Sequence, residues 1–300
     1  ALLDERRFLL PVAGVPADPG SGNPLADAVA PDTTRPVAVT LLWPLADKPR
    51  LAPGLPGGTS PVRLMNDDLA VSLAAGGRLE TLLAAAEFAT SPGAIDPATG
   101  VDRALCLSVD PDLLVTVNAM TAGYVVADAS DGLGTASHPG AGQAAAVAWL
   151  DRLRGVARRL CVTATPYAQA DLGALHRIGN PVLSGAATRS GADIVDRILG
   201  ITSTRGATVL GDGPLTETGL ALLDGQDGTV VVATGDDPAP QRLSALVTLA
   251  PFDPAVGAAL AGVGTDPAVP GYLDFATDVP IGQDSPVARR QDAVAAVLWQ

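Results

Sequence analysis

A chain of 300 residues that is 47% hydrophobic has enough material for a large core, in one domain or two. Its net charge of −13 and pI near 4.4 argue against a nucleic-acid partner, because Lys48 is the only lysine and Arg152, Arg154, Arg158 and Arg159 are the densest basic cluster. No apolar run reaches about 18 residues, so no segment is expected to span a bilayer.

The acidity fits a secreted surface that resists aggregation. The chain starts at Ala1 and reads as a processed or truncated piece of a longer one. Two cysteines, Cys106 and Cys161, and two histidines, His138 and His176, do not stand at metal-ligand spacing, so neither a metal site nor a cofactor is expected.

In chain order, residues 1–34 read as one short strand and a linker, the tail of a preceding module. A domain over 35–300 follows. Val37–Trp43 is a β-rich run ended by Pro44, and a Pro/Gly-rich loop leads to a helix start at Asn66-Asp67-Asp68. Leu69, Leu73, Leu79, Leu82 and Leu83 keep helical spacing across a break at Gly76-Gly77. A strand over 104–109 precedes a helix over 111–121, a short Tyr124–Ala127 run and a long helix over about 139–158. Strands at 160–165, 207–210, 229–233 and 245–250 then alternate with helices at 169–178, 190–200, 215–223 and 255–262, and 286–299 is a last helix.

The strands are continuously apolar, which marks parallel strands covered on both faces. Pro44, Pro111, Pro166 and Pro251 each sit at a strand's C-terminal border, where a missing N–H is tolerated. Repeated corners of this kind predict an α/β fold closed as a (β/α) barrel, complete or incomplete, with six to eight parallel strands and helices outside. A doubly wound open sheet is the alternative. Cys106 lies five residues before Pro111 and Cys161 five before Pro166, so equivalent corners would bring the sulfurs level on neighbouring strands, as a disulfide or as a thiol pair.

The segments VAVTLLWPLADKPRLAP, NDDLAVSLAAGGRLETLLAA, LCLSVDPDLLVTVNAM, AAAVAWLDRLRG and TATPYAQADLGAL resemble an uncharacterised actinobacterial family. The resemblance covers about 35–175 best and extends more loosely to 300. Members of that family are exported, membrane-anchored cell-envelope proteins, typically encoded beside the lipid II flippase of peptidoglycan synthesis. Their β-sandwich modules flank a central α/β region, the part this chain is similar to. The resemblance implies an extracytoplasmic setting, which permits a disulfide. It brings no established catalytic residues. The strand-Pro corners also resemble, more weakly, glycoside hydrolase and deacetylase barrels. A deacetylase would need a His-x-x-x-His pair, which is missing.

The motifs of common hydrolases and nucleotide-binding proteins are absent. What remains is acids at strand ends: Asp47, Asp110, Asp112, Asp171, Asp212, Asp236, Asp237 and Asp253. Asp47, Asp110 and Asp253 are the candidates for a glycosidase pair, in which one carboxyl must hold a proton. Asp112 and Asp171 equally read as helix caps. The four glutamates, Glu5, Glu80, Glu87 and Glu217, do not end a core strand. Trp43, Tyr167 and Phe252 close three strands at similar offsets, either as a sugar-stacking mouth with Asp112 and Asp171 or as core plugs. His176 beside Arg177 reads as a partner for a helix C-terminal dipole, and the arginine cluster as a solvated face or an anchor for anionic lipid or polymer.

The reading is a non-catalytic or degenerate-barrel module that supports envelope or wall assembly by binding a glycan, a lipid intermediate or a partner protein. A glycoside hydrolase acting on envelope polysaccharide is the alternative, and a spacer between modules the third. Asp110 before Pro111 is expected to accept backbone N–H bonds that lower its pKa, the wrong direction for a general acid.

Overall fold

The computed structural model describes residues 38–53, 61–91, 100–129, 136–235, 237, 239–263 and 284–299; the expected N-terminal strand and linker fall outside them. The first half runs β1 (Leu41–Leu45), β2 (Val62–Leu64), α1 (Asp68–Leu73), α2 (Arg78–Ala89), α3 (Val101–Ala104), β3 (Leu105–Val109), α4 (Pro111–Thr121), β4 (Tyr124–Ala127), β5 (Ser137–Pro139), α5 (Gln143–Ala157) and β6 (Cys161–Ala164). A 3-10 turn, Tyr167–Gln169, leads into α6 (Leu172–Ile178), α7 (Pro181–Thr188), α8 (Ser190–Leu199), β7 (Ala207–Pro214), α9 (Glu217–Asp224), β8 (Thr229–Thr234), β9 (Gln241–Arg242), β10 (Val247–Phe252), α10 (Pro254–Ala261) and α11 (Pro286–Trp299).

Local chemistry sets many of these starts. Asp110, Asn180 and Asp253 each accept backbone N–H bonds at the N-terminus of α4, α7 and α10, and each is followed by a proline whose fixed φ suits the first helical turn. Asp171 and Thr216 cap α6 and α9 in the same way. Helix α6 ends at Gly179, whose φ of +66° is the left-handed conformation a helix C-terminus often requires.

The strands form no barrel. The described strands make three open sheets: β1-β3-β6, β7-β8-β10-β9 and β2-β4-β5. The six strands expected to line a barrel do pair in parallel, but in two groups of three. Between the groups lies a single parallel bridge, Thr163 to Thr204. Closure is blocked at both ends. Strand β1 is an edge carrying the exposed Pro44, which has no N–H for a further neighbour. Strand β10 is covered on its far side by the short antiparallel β9. Pro44 and Pro251 also fall inside β1 and β10 rather than after them; Pro251 lies beyond the stretch of β10 that β9 pairs with.

Strand β3 is buried at all five positions, as expected of a strand covered on both faces, but its two faces differ in chemistry. In the first sheet, Leu45, Leu105, Leu107, Val109 and Val162 point to one face and join a core with Leu69, Leu79, Leu83, Leu114, Leu150, Leu153, Val195 and Leu199 from α1, α2, α4, α5 and α8. By the two-residue alternation of a strand, Cys106, Ser108, Cys161 and Thr163 occupy the other face. A separate core joins Val231, Ala233, Val247 and Leu249 of the second sheet to Leu172, Leu175 and Leu223 of α6 and α9.

By length and mean hydropathy, the stretch Asp68–Ala89 could cross a membrane. It is instead two helices separated at Ala74–Gly77, with Leu69, Leu73, Leu79, Leu83 and Ala86 buried. It packs as a pair of core helices.

Candidate functional site

The first sheet's three strands end side by side, and acids follow two of them. Asp110, wholly buried, follows β3; its backbone N–H donates to Leu45 O at the end of β1. Its Oδ1 accepts two N–H bonds, from Asp112 at 2.9 Å and from Ala168 at 3.0 Å. One carboxylate thus caps α4 and pins the turn that follows β6. Asp112, 5% exposed, lies in the first turn of α4 and faces the Tyr167 hydroxyl. Asp47, just past β1, is held by Arg50 at 3.1 Å and Arg78 at 3.6 Å, and Arg50 also reaches Asp68 at 2.9 Å.

The electrostatics of this cluster reverse one expectation. Burial pushes the Asp110 carboxyl up to about 6, despite the bonds from Asp112 and Ala168 that favour the charged form; the nearby Asp112 charge pushes the same way as burial. The side chain of Gln169 approaches the carboxylate and favours its charge, but Oδ2 has no hydrogen bond of normal geometry. Two N–H donors do not replace the water that a whole carboxylate loses. Asp112 is also raised, first by burial and then by the Asp47 charge, while Tyr167 opposes the shift. Burial and the Asp112 carboxylate make the Tyr167 proton harder to remove.

The turn itself is strained. Ala168 has φ +52° and Gln169 φ +50°, the two non-glycine residues with positive φ among the described ones. A left-handed L-residue costs about 1–2 kcal/mol, and such residues concentrate at functional sites.

The remaining candidates do not join this cluster. Asp171 caps α6 through Gly173 and Ala174 N–H, and Asp253 caps α10 through Ala255 and Val256 N–H in the other sheet. Asp237 accepts a bond from Ala239 N in its own loop. Asp236 and the side chain of Asp212 lie outside the described residues. Trp43 sits within β1 on the helix-packed face, and its indole N–H donates to Leu82 O of α2. Phe252, half-buried, ends β10 opposite Thr234. Trp43, Tyr167 and Phe252 therefore do not form one mouth.

Cys106 and Cys161 are direct register partners with Cα atoms 4.4 Å apart, joined by a disulfide. Of the arginine cluster, Arg152 binds Glu80 and Glu87 and Arg154 binds Asp151 and Ile198 O, while Arg158 and Arg159 are exposed, the latter donating to Gly155 O. His176 is exposed in the last turn of α6. Among the described residues no group of His, Cys, Asp and Glu has the geometry to hold a metal ion. Two hollows of about 390 and 280 Å³ flank α7, and Pro181 and Arg189 line both; the strand-end acids line neither.

Sequence reasoning missed the turn at Ala168–Gln169, because nothing in its composition signals positive φ. It also missed the unpartnered buried hydroxyls of Ser108 and Thr163, which share a sheet face in adjacent register. Comparison with known proteins found no match to a family model, a curated protein or a solved structure.

Proposed function

We propose that this chain is a non-catalytic α/β module of an exported cell-envelope protein, which supports envelope or wall assembly by binding a glycan, a lipid-linked intermediate or a partner protein. The observation that carries the reading is how the acids are used. Asp110, Asp171 and Asp253 cap helices, Asp47 is held by arginines, and Asp110 and Asp112 are shut away from solvent. A glycosidase needs two carboxyl groups that meet the scissile bond. The disulfide supports the extracytoplasmic setting, because such bonds are rare where thiols are kept reduced.

The glycoside hydrolase reading keeps one specific support: Asp110 holds its proton to about pH 6, as a general acid must. Its complete burial counts against contact with a substrate. Sedimentation with insoluble wall polymer, and with vesicles containing envelope lipids, tests the binding reading. Retention on one of them without soluble products is expected. A protein that stays in the supernatant in both cases, and that captures no envelope protein after cross-linking in cells, would leave the binding reading without support.

A further inference from the structure

We propose that the Tyr167–Gln169 turn is a strap over the ends of β1, β3 and β6 that opens when Asp110 loses its proton. The proposal goes beyond the binding reading and does not depend on it.

Four observations meet at this place. The turn holds two successive left-handed residues, Ala168 and Gln169, so its closed form is strained and must be held. A buried carboxylate holds it, through the Ala168 N–H bond to Asp110 Oδ1 at 3.0 Å. The other oxygen, Oδ2, is buried with no hydrogen bond of normal geometry, and the Gln169 side chain of the turn approaches the carboxylate. Tyr167, at the head of the turn, faces the nearly buried Asp112.

A neutral Asp110 can stay in this position, because Oδ1 still accepts both N–H bonds. Two backbone donors and the Gln169 side chain do not replace the water a charged Asp110 loses there, so the charge has to reach solvent. The helices around it are fixed by the core. The short turn is the element that can move at least cost, since opening also releases its strain. Opening would bring Asp110, Asp112 and Tyr167 to the solvent at the strand ends.

The charged groups around Asp110 set the background. From the β1 side comes Asp47, neutralised by Arg50 and Arg78. Asp112 comes from α4 and Tyr167 from the turn. Helix α8, packed on α4, carries Asp193, Asp196 and Arg197, of which Asp193 and Asp196 pair with Arg205. Helix α7, packed on the turn, contributes no ionisable side chain, and Arg189 follows it. Asp110 and Asp112 are the groups among these whose charge is buried without a cation beside it, and Asp110 is the one that holds the turn.

Hydrogen exchange of a peptide covering residues 166–171 tests this, with rates corrected for intrinsic exchange. If the carboxyl titrates near 6 in the closed turn and at the ordinary 3.8 in the open one, the open fraction rises about tenfold between pH 5 and pH 8. Asp110→Asn should abolish that rise. Ala168→Gly, which removes the strain and leaves the carboxylate, should lower opening several-fold at each pH and keep the slope. A pH-independent wild type, a persistent rise in Asp110→Asn, or an Ala168→Gly protein that opens more would each overturn the proposal. So would a rise shared by all peptides, since that reports global unfolding. If Asp110→Asn does not fold, the wild-type and Ala168→Gly profiles still decide the matter.

Discussion

Replacing Asp110 by Asn should make the protein more stable at neutral pH and no more stable at acid pH. Burial raises this carboxyl from 3.8 to about 6, a difference of about two units, and each unit is worth about 1.4 kcal/mol. The folded state thus binds the proton more tightly than the unfolded chain. Below pH 4 the group is protonated in both states and contributes no pH dependence. Between about pH 4 and 6 the unfolded chain ionises first, so stability falls as pH rises. Above pH 6 the deficit levels off at about 3 kcal/mol. Asparagine keeps an oxygen for the Asp112 and Ala168 N–H groups and is an equally good cap, but it never ionises. The value of about 6 already includes those two bonds, so the net expectation at pH 8 is a gain of about 3 kcal/mol for Asp110→Asn, shrinking to near zero at pH 4. Urea unfolding at pH 4, 6 and 8, with the disulfide intact, measures it. A variant that loses stability at pH 8, or a difference that does not change with pH, would refute the reasoning about burial.

Three further outcomes are expected. Reducing the Cys106–Cys161 disulfide, or Cys106→Ala with Cys161→Ala, frees a loop of 55 residues and should cost about 2–4 kcal/mol in urea unfolding. Ala168→Gly relieves one left-handed residue and should raise stability by about 1 kcal/mol, seen as a higher Tm. Arg152→Ala removes half-exposed ion pairs with Glu80 and Glu87 and should cost about 0.5–1 kcal/mol, a loss that shrinks in 1 M salt as surface pairs are screened.

The helices were legible where caps and periodicity agree. The expected 111–121 and 286–299 match α4 and α11 because Pro111 follows a capping Asp and Pro286 follows Ser285, whose hydroxyl accepts the Ala288 N–H. Strand direction was legible from the alternation with helices. Closure was not. Barrel and open sheet share the same βα corners, and the difference lies in an edge proline, a two-residue β9 and a single bridge at Thr204. The third sheet escaped notice because β2 and β5 are three residues each, too short to show a period. At the site, Asp110 was legible as an acceptor of backbone N–H bonds, but the cap was expected at Asp112, and the raised Asp110 pKa was not legible. The local donor at Asp112 was visible in the sequence, whereas the distant donor at Ala168 and the burial that outweighs both come from strand ends and a turn meeting in space.

The central claim is that the strand-end acids hold the fold rather than cleave glycan. Its most direct measurement is release of reducing ends from purified wall polysaccharide by the disulfide-bonded protein, assayed from pH 5 to pH 8 beside Asp110→Asn and Asp112→Asn. The expected result is no release above a buffer blank from any of the three proteins. Release by the wild type that vanishes in either variant, with circular dichroism unchanged, would contradict the account and make Asp110 or Asp112 catalytic.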